Sequence, residues 1–302
     1  MDANAISMGS FSIDYETWSI NLAMDQLSPL LSRFDLNARV FYSGALCGVT
    51  SFAASEGTGH LHVVRRGPLQ VLAANATLVQ VDEPSLLFYP RPASHRLLTN
   101  ERTGADVVCA SVEFGVGLGN PLTRALPALL VVPLADMPDL QATLTLLFDE
   151  AFGQRCGRQA VVDRLCELVL IHVLRHTIDH GLMNSGLFAG LADARLTRAI
   201  NAMHEDPARN WSLEDLASEA GMSRARFAVN FRETVGQTPG DYLTDWRIGL
   251  AQSLLRRGKP VKIVADEVGY GSATALARAF ATRLGMSPMT WARRAGRAEE
   301  LT

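Results

Sequence analysis

Two stretches near the C-terminus follow one pattern, and that repetition constrains the fold more than any other feature of the chain. The first runs from Ser212 to Phe231, the second from Val261 to Phe280. Each reads as a short amphipathic helix, a turn with a glycine, and a second helix with a serine placed to cap its start. In the first, Leu213, Leu216, Ala217 and Ala220 make one apolar stripe, and Phe227 and Phe231 make another at i, i+4. Gly221 falls at the turn, where left-handed backbone favours glycine, and Ser223 stands ready to accept from the new helix's free N–H groups. Ile263, Val264, Ala265, Val268, Gly269, Ser272, Leu276 and Phe280 repeat these roles in the second. Two short helices crossing at a tight turn are the minimal device for placing a helix in the DNA major groove. One copy also describes an ordinary helical hairpin; two copies with matching roles let one chain touch two successive groove segments.

Between them, Pro239 to Arg257 reads as one long helix, with Tyr242, Leu243, Trp246, Ile248, Leu250, Ala251, Leu254 and Leu255 at helical spacing. Gly258 ends it and Pro260 opens the next segment. Thr238-Pro239-Gly240-Asp241-Tyr242-Leu243, Trp246-Arg247, Ala265-Asp266-Glu267-Val268-Gly269-Tyr270, Arg278-Ala279-Phe280 and Gly285-Met286-Ser287-Pro288 together resemble the AraC/XylS family of bacterial transcription regulators. The resemblance covers roughly residues 194–294. It implies an all-α domain that binds double-stranded DNA, with RNA polymerase as the further partner of an activator.

Helix geometry then nominates the contacts. The faces opposite Phe227/Phe231 and Leu276/Phe280 carry Arg224, Ala225, Ala228 and Val229 in the first unit, and Ala273, Thr274, Ala277 and Arg278 in the second. Arginine takes guanine bidentately, and alanine and threonine methyls suit thymine. Arg226, Asn230, Arg232 and Arg283 are assigned to phosphates, which position a protein without specifying sequence. For each of these residues, a solvated helix surface is the bland alternative. Many members of the family carry arginine where Val229 stands here, which puts base reading by the first unit in question.

Charge is divided to match. From Arg195 onward there are 16 Lys+Arg against 12 Asp+Glu, a net +4, while the preceding residues carry 12 against 19, a net −7. A basic part beside an acidic one suits DNA binding by the basic part alone, although +4 is ordinary for a domain. The 302 residues, 48% of them hydrophobic, suffice for about two domains. No apolar run approaches the roughly 18 residues of a membrane span, and Met1-Asp2-Ala3-Asn4 does not open a signal peptide. Four cysteines in a chain this long make no disulfide scaffold. The expectation is a cytoplasmic, nucleoid-associated protein with reduced thiols.

The N-terminal half is of another kind. After an amphipathic helix ending near Met24 to Leu31, strand-like runs dominate from Ala38 to Phe114: Val40-Phe41-Tyr42, Leu61-His62-Val63-Val64, Leu69-Gln70-Val71-Leu72, Leu86-Leu87-Phe88-Tyr89 and Val107 to Val112. Many short strands with regular turns argue for a sandwich or barrel. Cys47-Gly48, Leu61 to Val64, Pro90 to Leu97, Val108-Cys109 and Asn120 to Pro127 resemble the cupin-type sensor domain of one branch of AraC-like regulators. Glu83-Pro84 stands where that pattern has Gly-Asp, so the turn there is expected to differ. The resulting fold class is α+β: a cupin-like β-barrel over 1–137, a helical linker and dimerisation region over 138–192, and the DNA-binding domain over 193–302.

Within the barrel, Cys47, His62, His95 and Cys109 lie on or beside different strand-like runs. Cys2His2 is a standard tetrahedral zinc set, and barrel closure would gather it. With four protein ligands such a site would be structural or sensory, not catalytic. His60 is a substitute ligand if its strand is regular. The competing reading is two cysteines packed as small hydrophobes and two hydrogen-bonded histidines, leaving the barrel interior for a small organic effector. His172, His176 and His180 share a helix face; an interface or solvated face is the plainer reading than a metal or pH sensor. Cys156 and Cys166 read as core or surface thiols before a redox pair.

Two other function classes compete with a ligand- or metal-modulated, homodimeric regulator. Cupin barrels also host metal-dependent enzymes, but those need open metal positions with acids or bases beside them, and two thiolates disfavour oxygen chemistry. No phosphate loop, dinucleotide fingerprint or Gly-x-Ser-x-Gly occurs. An adaptor that has lost DNA affinity is the third reading, motivated by Val229 and the alanine-rich second recognition helix.

Overall fold

A computed structural model describes residues 25–55, 57–73, 76–115 and 120–299. The part of the expected N-terminal helix before Asp25 lies outside them; α1 begins at Ser28 and ends at Arg33. Among the described residues nine strands follow: β1 Leu36–Leu46, β2 Val49–Phe52, β3 Thr58–Arg66, β4 Leu69–Ala73, β5 Ala76–Val81, β6 Ser85–Tyr89, β7 His95–Thr99, β8 Ala105–Phe114 and, after the short helix α2 Pro121–Ala125, β9 Leu130–Pro133. They form a five-stranded sheet, β1-β8-β3-β6-β9, and a four-stranded sheet, β2-β7-β4-β5. The pairings among the described residues are antiparallel. None joins the two sheets, so the expected barrel is an open two-layer sandwich.

The strand runs look continuously apolar because the larger sheet is covered on both faces. Period-2 alternation sends Leu61, Val63, Val108, Ala110, Val112 and Phe114 toward the helices. Val64, Leu87, Tyr89, Val107 and Cys109 point between the sheets. Across the helix-facing side lie α3 Gln141–Ala151 and α4 Arg158–Asp179. Asp163 on α4 accepts from the Val40 backbone N–H at 2.7 Å, and Gln159 donates to the Val40 carbonyl at 2.8 Å. These two bonds lock α4 onto β1 beside the irregularity between Val40 and Tyr42.

Within residues 184–191, where Gly186 and Gly190 flanking apolar residues lead one to expect the linker proper, the chain starts a helix instead. This is α5 Leu187–Ala192, with Leu187, Phe188 and Leu191 buried. Then come α6 Leu196–Glu205, α7 Leu213–Glu219, α8 Arg224–Val235, α9 Pro239–Arg256, α10 Val261–Glu267, α11 Ala273–Leu284 and α12 Pro288–Glu299. The first helix-turn-helix is α7–α8 and the second α10–α11, joined by α9 as expected. Ser212 opens α7 with a reciprocal capping box to Asp215; Ser272 caps α11, whereas Ser223 heads α8 without a side-chain cap bond. Both turn glycines have positive φ, +61° at Gly221 and +85° at Gly269. At Gly269 a Cβ would come within 2.7 Å of Ala208 Cα, so only glycine lets this turn close on the 206–211 loop.

Candidate functional site

The reading surface is built from α8 and α11. Phe227 and Phe231 bury one side of α8, and Leu276 and Phe280 one side of α11; the opposite sides are open. Arg224, Ala225, Arg226, Val229 and Arg232 are exposed, as are Thr274 and Arg278, while Ala228, Ala273 and Ala277 are half-buried between them. Val229 is 57% exposed, an apolar tip facing solvent where the resemblance leads one to expect a guanidinium. Arg224 makes an ion pair at 3.2 Å with Glu214, both exposed, so solvent screens it.

Two of the nominated phosphate contacts are engaged elsewhere. Asn230 is half-buried; its amide lies against Met222 Sδ at 4.0 Å and its carbonyl oxygen accepts from Thr234 at 3.4 Å. Arg283 pairs with Asp241 at 2.6 Å and with Asp245 at 3.1 Å, both on α9. Its guanidinium ties α11 to α9, and hydrogen bonds from Thr238 and from this guanidinium pull the Asp241 carboxyl below its ordinary range. Periodicity misses such roles because it places a residue on a face without naming the neighbouring helix.

The second candidate site lies inside the sandwich. His60 and His62 share the inner face of β3, and His95 opens β7 on the same interior; all three are buried. Their ring centroids are 5.0–6.0 Å apart. Tyr89 stacks on His95 at 4.0 Å and Phe52 stacks on its ring at 5.1 Å. His95 Nδ1 meets the Ala93 carbonyl at 2.9 Å, so it must carry the proton and donate. Its Nε2 then accepts from His62 Nε2–H at 2.8 Å. His62 Nδ1 is left with a bare lone pair and no partner, and His60 Nδ1 is likewise unpartnered. Burial pushes all three pKa values down, His95 to about 4 and His62 well below its ordinary value, with neighbouring histidines adding to the effect for these two. They are neutral imidazoles at neutral pH.

The four-residue set Cys47, His62, His95 and Cys109 is not gathered. Among the described residues no group of three or more His, Cys, Asp or Glu side chains is arranged to hold a metal ion. Cys109 does share the interior, directly opposite His62, but burial raises its pKa strongly and keeps it a thiol. Cys47 is exposed. It follows Leu46, which pairs with Ala105, whereas His62 pairs with Cys109. Four residues along β8 at about 3.3 Å each put Cys47 well away from the histidine end. His60, on the same face of the regular strand β3, is the third side chain beside His62 and His95. Cys166 is buried and Cys156 exposed; His176 and His180 lie with ring centroids 4.1 Å apart, tilted by 36°, on the outer side of α4.

A family model described as "Cupin" matches residues 25–179, and one described as "Helix-turn-helix domain" matches 216–294. The chain belongs to the AraC-type regulators that carry a cupin domain. Putative AraC-like transcription regulators of Streptomyces lividans and Streptomyces antibioticus are 40% and 42% identical over 194 and 168 residues. These matches take in 61% and 54% of this AraC-type chain, and the chain spans only 63% and 55% of the relatives' own lengths. An uncharacterized HTH-type transcriptional regulator of Haemophilus influenzae is 29% identical over 289 residues, 88% of this chain and 96% of that protein. Among the described residues of the AraC-type chain no helix is long and apolar enough to cross a membrane.

Proposed function

We propose that this chain is a sequence-specific DNA-binding transcription regulator whose activity is modulated by a ligand or a metal in its cupin domain. The observation that carries the reading is the joint presentation of α8 and α11, each with its aromatic side buried and its arginine-bearing side open. The relatives' names support a regulator, and the reading assigns no catalytic role. In it the protein works in the cytoplasm as a homodimer, with Leu146, Val161 and Leu168 exposed on α3 and α4 as apolar contacts, and RNA polymerase is the partner if it activates. The test is binding to duplexes selected from a random-sequence pool, followed through a salt series. Affinity that falls steeply with salt and depends on sequence is expected. Absence of both returns the chain to an adaptor.

In the metal form of this reading zinc is taken up by His60 and His62 through their unpartnered Nδ1 atoms, and His95 joins only by giving up its hydrogen bond from His62, since among the described residues no three such side chains are already arranged around an ion. Neutral imidazoles suit zinc and other first-row ions, and the unpartnered Nδ1 atoms of His60 and His62 are donor capacity that the fold leaves unused. A bound ion would supply a fixed positive charge that ties the two sheets together. Elemental analysis of protein purified without chelator checks it. About one zinc per chain, lost in His62→Ala and retained in Cys47→Ser, is expected; a metal-free protein leaves the pocket to an organic effector.

A further inference from the structure

A second cavity lies where the cupin domain meets the first reading unit. It has a volume of about 230 Å³, and its walls include Arg124 and Ala125 from α2, Leu187 from α5, Val235 from α8, and Asp245 and Trp246 from α9. The charged groups of its polar wall are paired with one another. Arg124 pairs with Asp245 at 3.5 Å, and the second Asp245 oxygen takes Arg283 at 3.1 Å, so the charges are matched. The Tyr242 hydroxyl is hydrogen-bonded to His204 Nε2 at 2.6 Å. Beside the Gln237 amide at its edge, the wall holds one buried donor, the indole N–H of Trp246, without an acceptor among the described protein atoms. An unpaired buried donor is costly, and this one is held in place by His204 stacked at 3.7 Å and Phe34 edge-on at 5.1 Å.

We propose that this cleft binds a small, uncharged, mainly apolar molecule carrying one carbonyl acceptor for the Trp246 N–H. A neutral ligand is favoured because the wall's charges are already matched. An apolar body suits Ala125, Leu187 and Val235. The volume falls below the roughly 300–1,000 Å³ of sites for drug-sized ligands, which limits the occupant to a single ring or a short chain. The walls come from sensor, α5 and reader alike, so this site is distinct from the histidine pocket.

The test uses the 15N-labelled full chain and three probes. Acetophenone carries the carbonyl, ethylbenzene has a similar outline without it, and benzoate adds a charge. The indole resonance of Trp246 is identified by its loss in Trp246→Phe. Acetophenone is expected to move that resonance saturably, with ethylbenzene about tenfold weaker, the worth of one hydrogen bond, and benzoate also weaker because its charge must be desolvated in the cleft. Ala125→Leu, which fills the cleft from a half-buried position, is expected to abolish the shift while leaving the resonance in place. A resonance that acetophenone does not move overturns the proposal, as do equal shifts by ethylbenzene, tighter binding of benzoate or a shift that survives Ala125→Leu. No DNA enters the test, so its failure is separate from any failure of the regulator reading.

Discussion

The two helix-turn-helix units share a sequence pattern but not a mechanical setting. Phe227 and Phe231 of the first belong to a core that runs through α6, α5 and Trp246 back to the helices and outer sheet face of the cupin domain. Leu276 and Phe280 of the second belong to a smaller, separate core made with the latter half of α9, α10 and α12. The first unit is therefore built into the sensor, and the second is attached to it. Attachment runs through α9 and polar contacts: Ser253 donates to the Arg33 carbonyl at 2.9 Å, Arg257 pairs with Asp35 at 2.9 Å, and Asp245 links Arg124 to Arg283. A repeated pattern thus specifies a local unit, while its coupling to the rest of the molecule depends on which long-range surface each copy meets.

Phe280→Ala tests that contrast with the largest effect. Emptying a buried phenylalanine site costs about 3–5 kcal/mol, and here the loss should stay within α10–α12. Hydrogen exchange is expected to show those helices losing protection while α8 and the cupin strands keep theirs. The same truncation at Phe231 should weaken sensor and first unit together. If both variants melt the whole chain as one body, the distinction fails.

Acid sharpens the contrast next. His204 is fully buried against Tyr242 and Trp246, and its pKa is pushed down to about 3, by burial first and the charge of Arg33 second. Its folded pKa lies below the unfolded value of about 6.5, so the unfolded chain binds the extra proton. The stability it contributes is complete above about pH 6.5 and is lost as pH falls toward 3, by up to about 1.4 kcal/mol per pH unit. Urea melts from pH 7 to pH 4 should therefore show the seam around Trp246 loosening before the second unit, with a shallower slope in His204→Asn. An identical slope in that variant would remove His204 from the account.

On DNA, Arg278→Ala should cost about 1–3 kcal/mol at one or two base positions, whereas Arg226→Ala should weaken all sequences alike. Unchanged preference in Arg278→Ala would sink its assignment to a base. The smallest effect belongs to Arg283→Gln. Its ion pairs are partly solvent-exposed, and exposed pairs are worth about 0–1 kcal/mol, so little stability is lost. As a tie between α11 and α9, Arg283 should leave the salt dependence of DNA binding unchanged. A slope lower by about one would restore it as a phosphate contact.

Much of this molecule is legible residue by residue because the relevant physics is local. Helical spacing of Leu213, Leu216, Phe227 and Phe231, a glycine at each turn and the proline and glycine bounding α9 determine the reader's helices and which faces stay open. Strand alternation similarly determines that His60 and His62 share a face once β3 is regular. What strand period does not contain is register between strands. Only the pairing of His62 with Cys109 and of Leu46 with Ala105 separates Cys47 from the cluster of three imidazoles. The fate of Arg283, the burial of α5 and the cleft at Trp246 were likewise decided by tertiary contact, since each depends on surfaces far apart in the chain that periodicity describes one at a time.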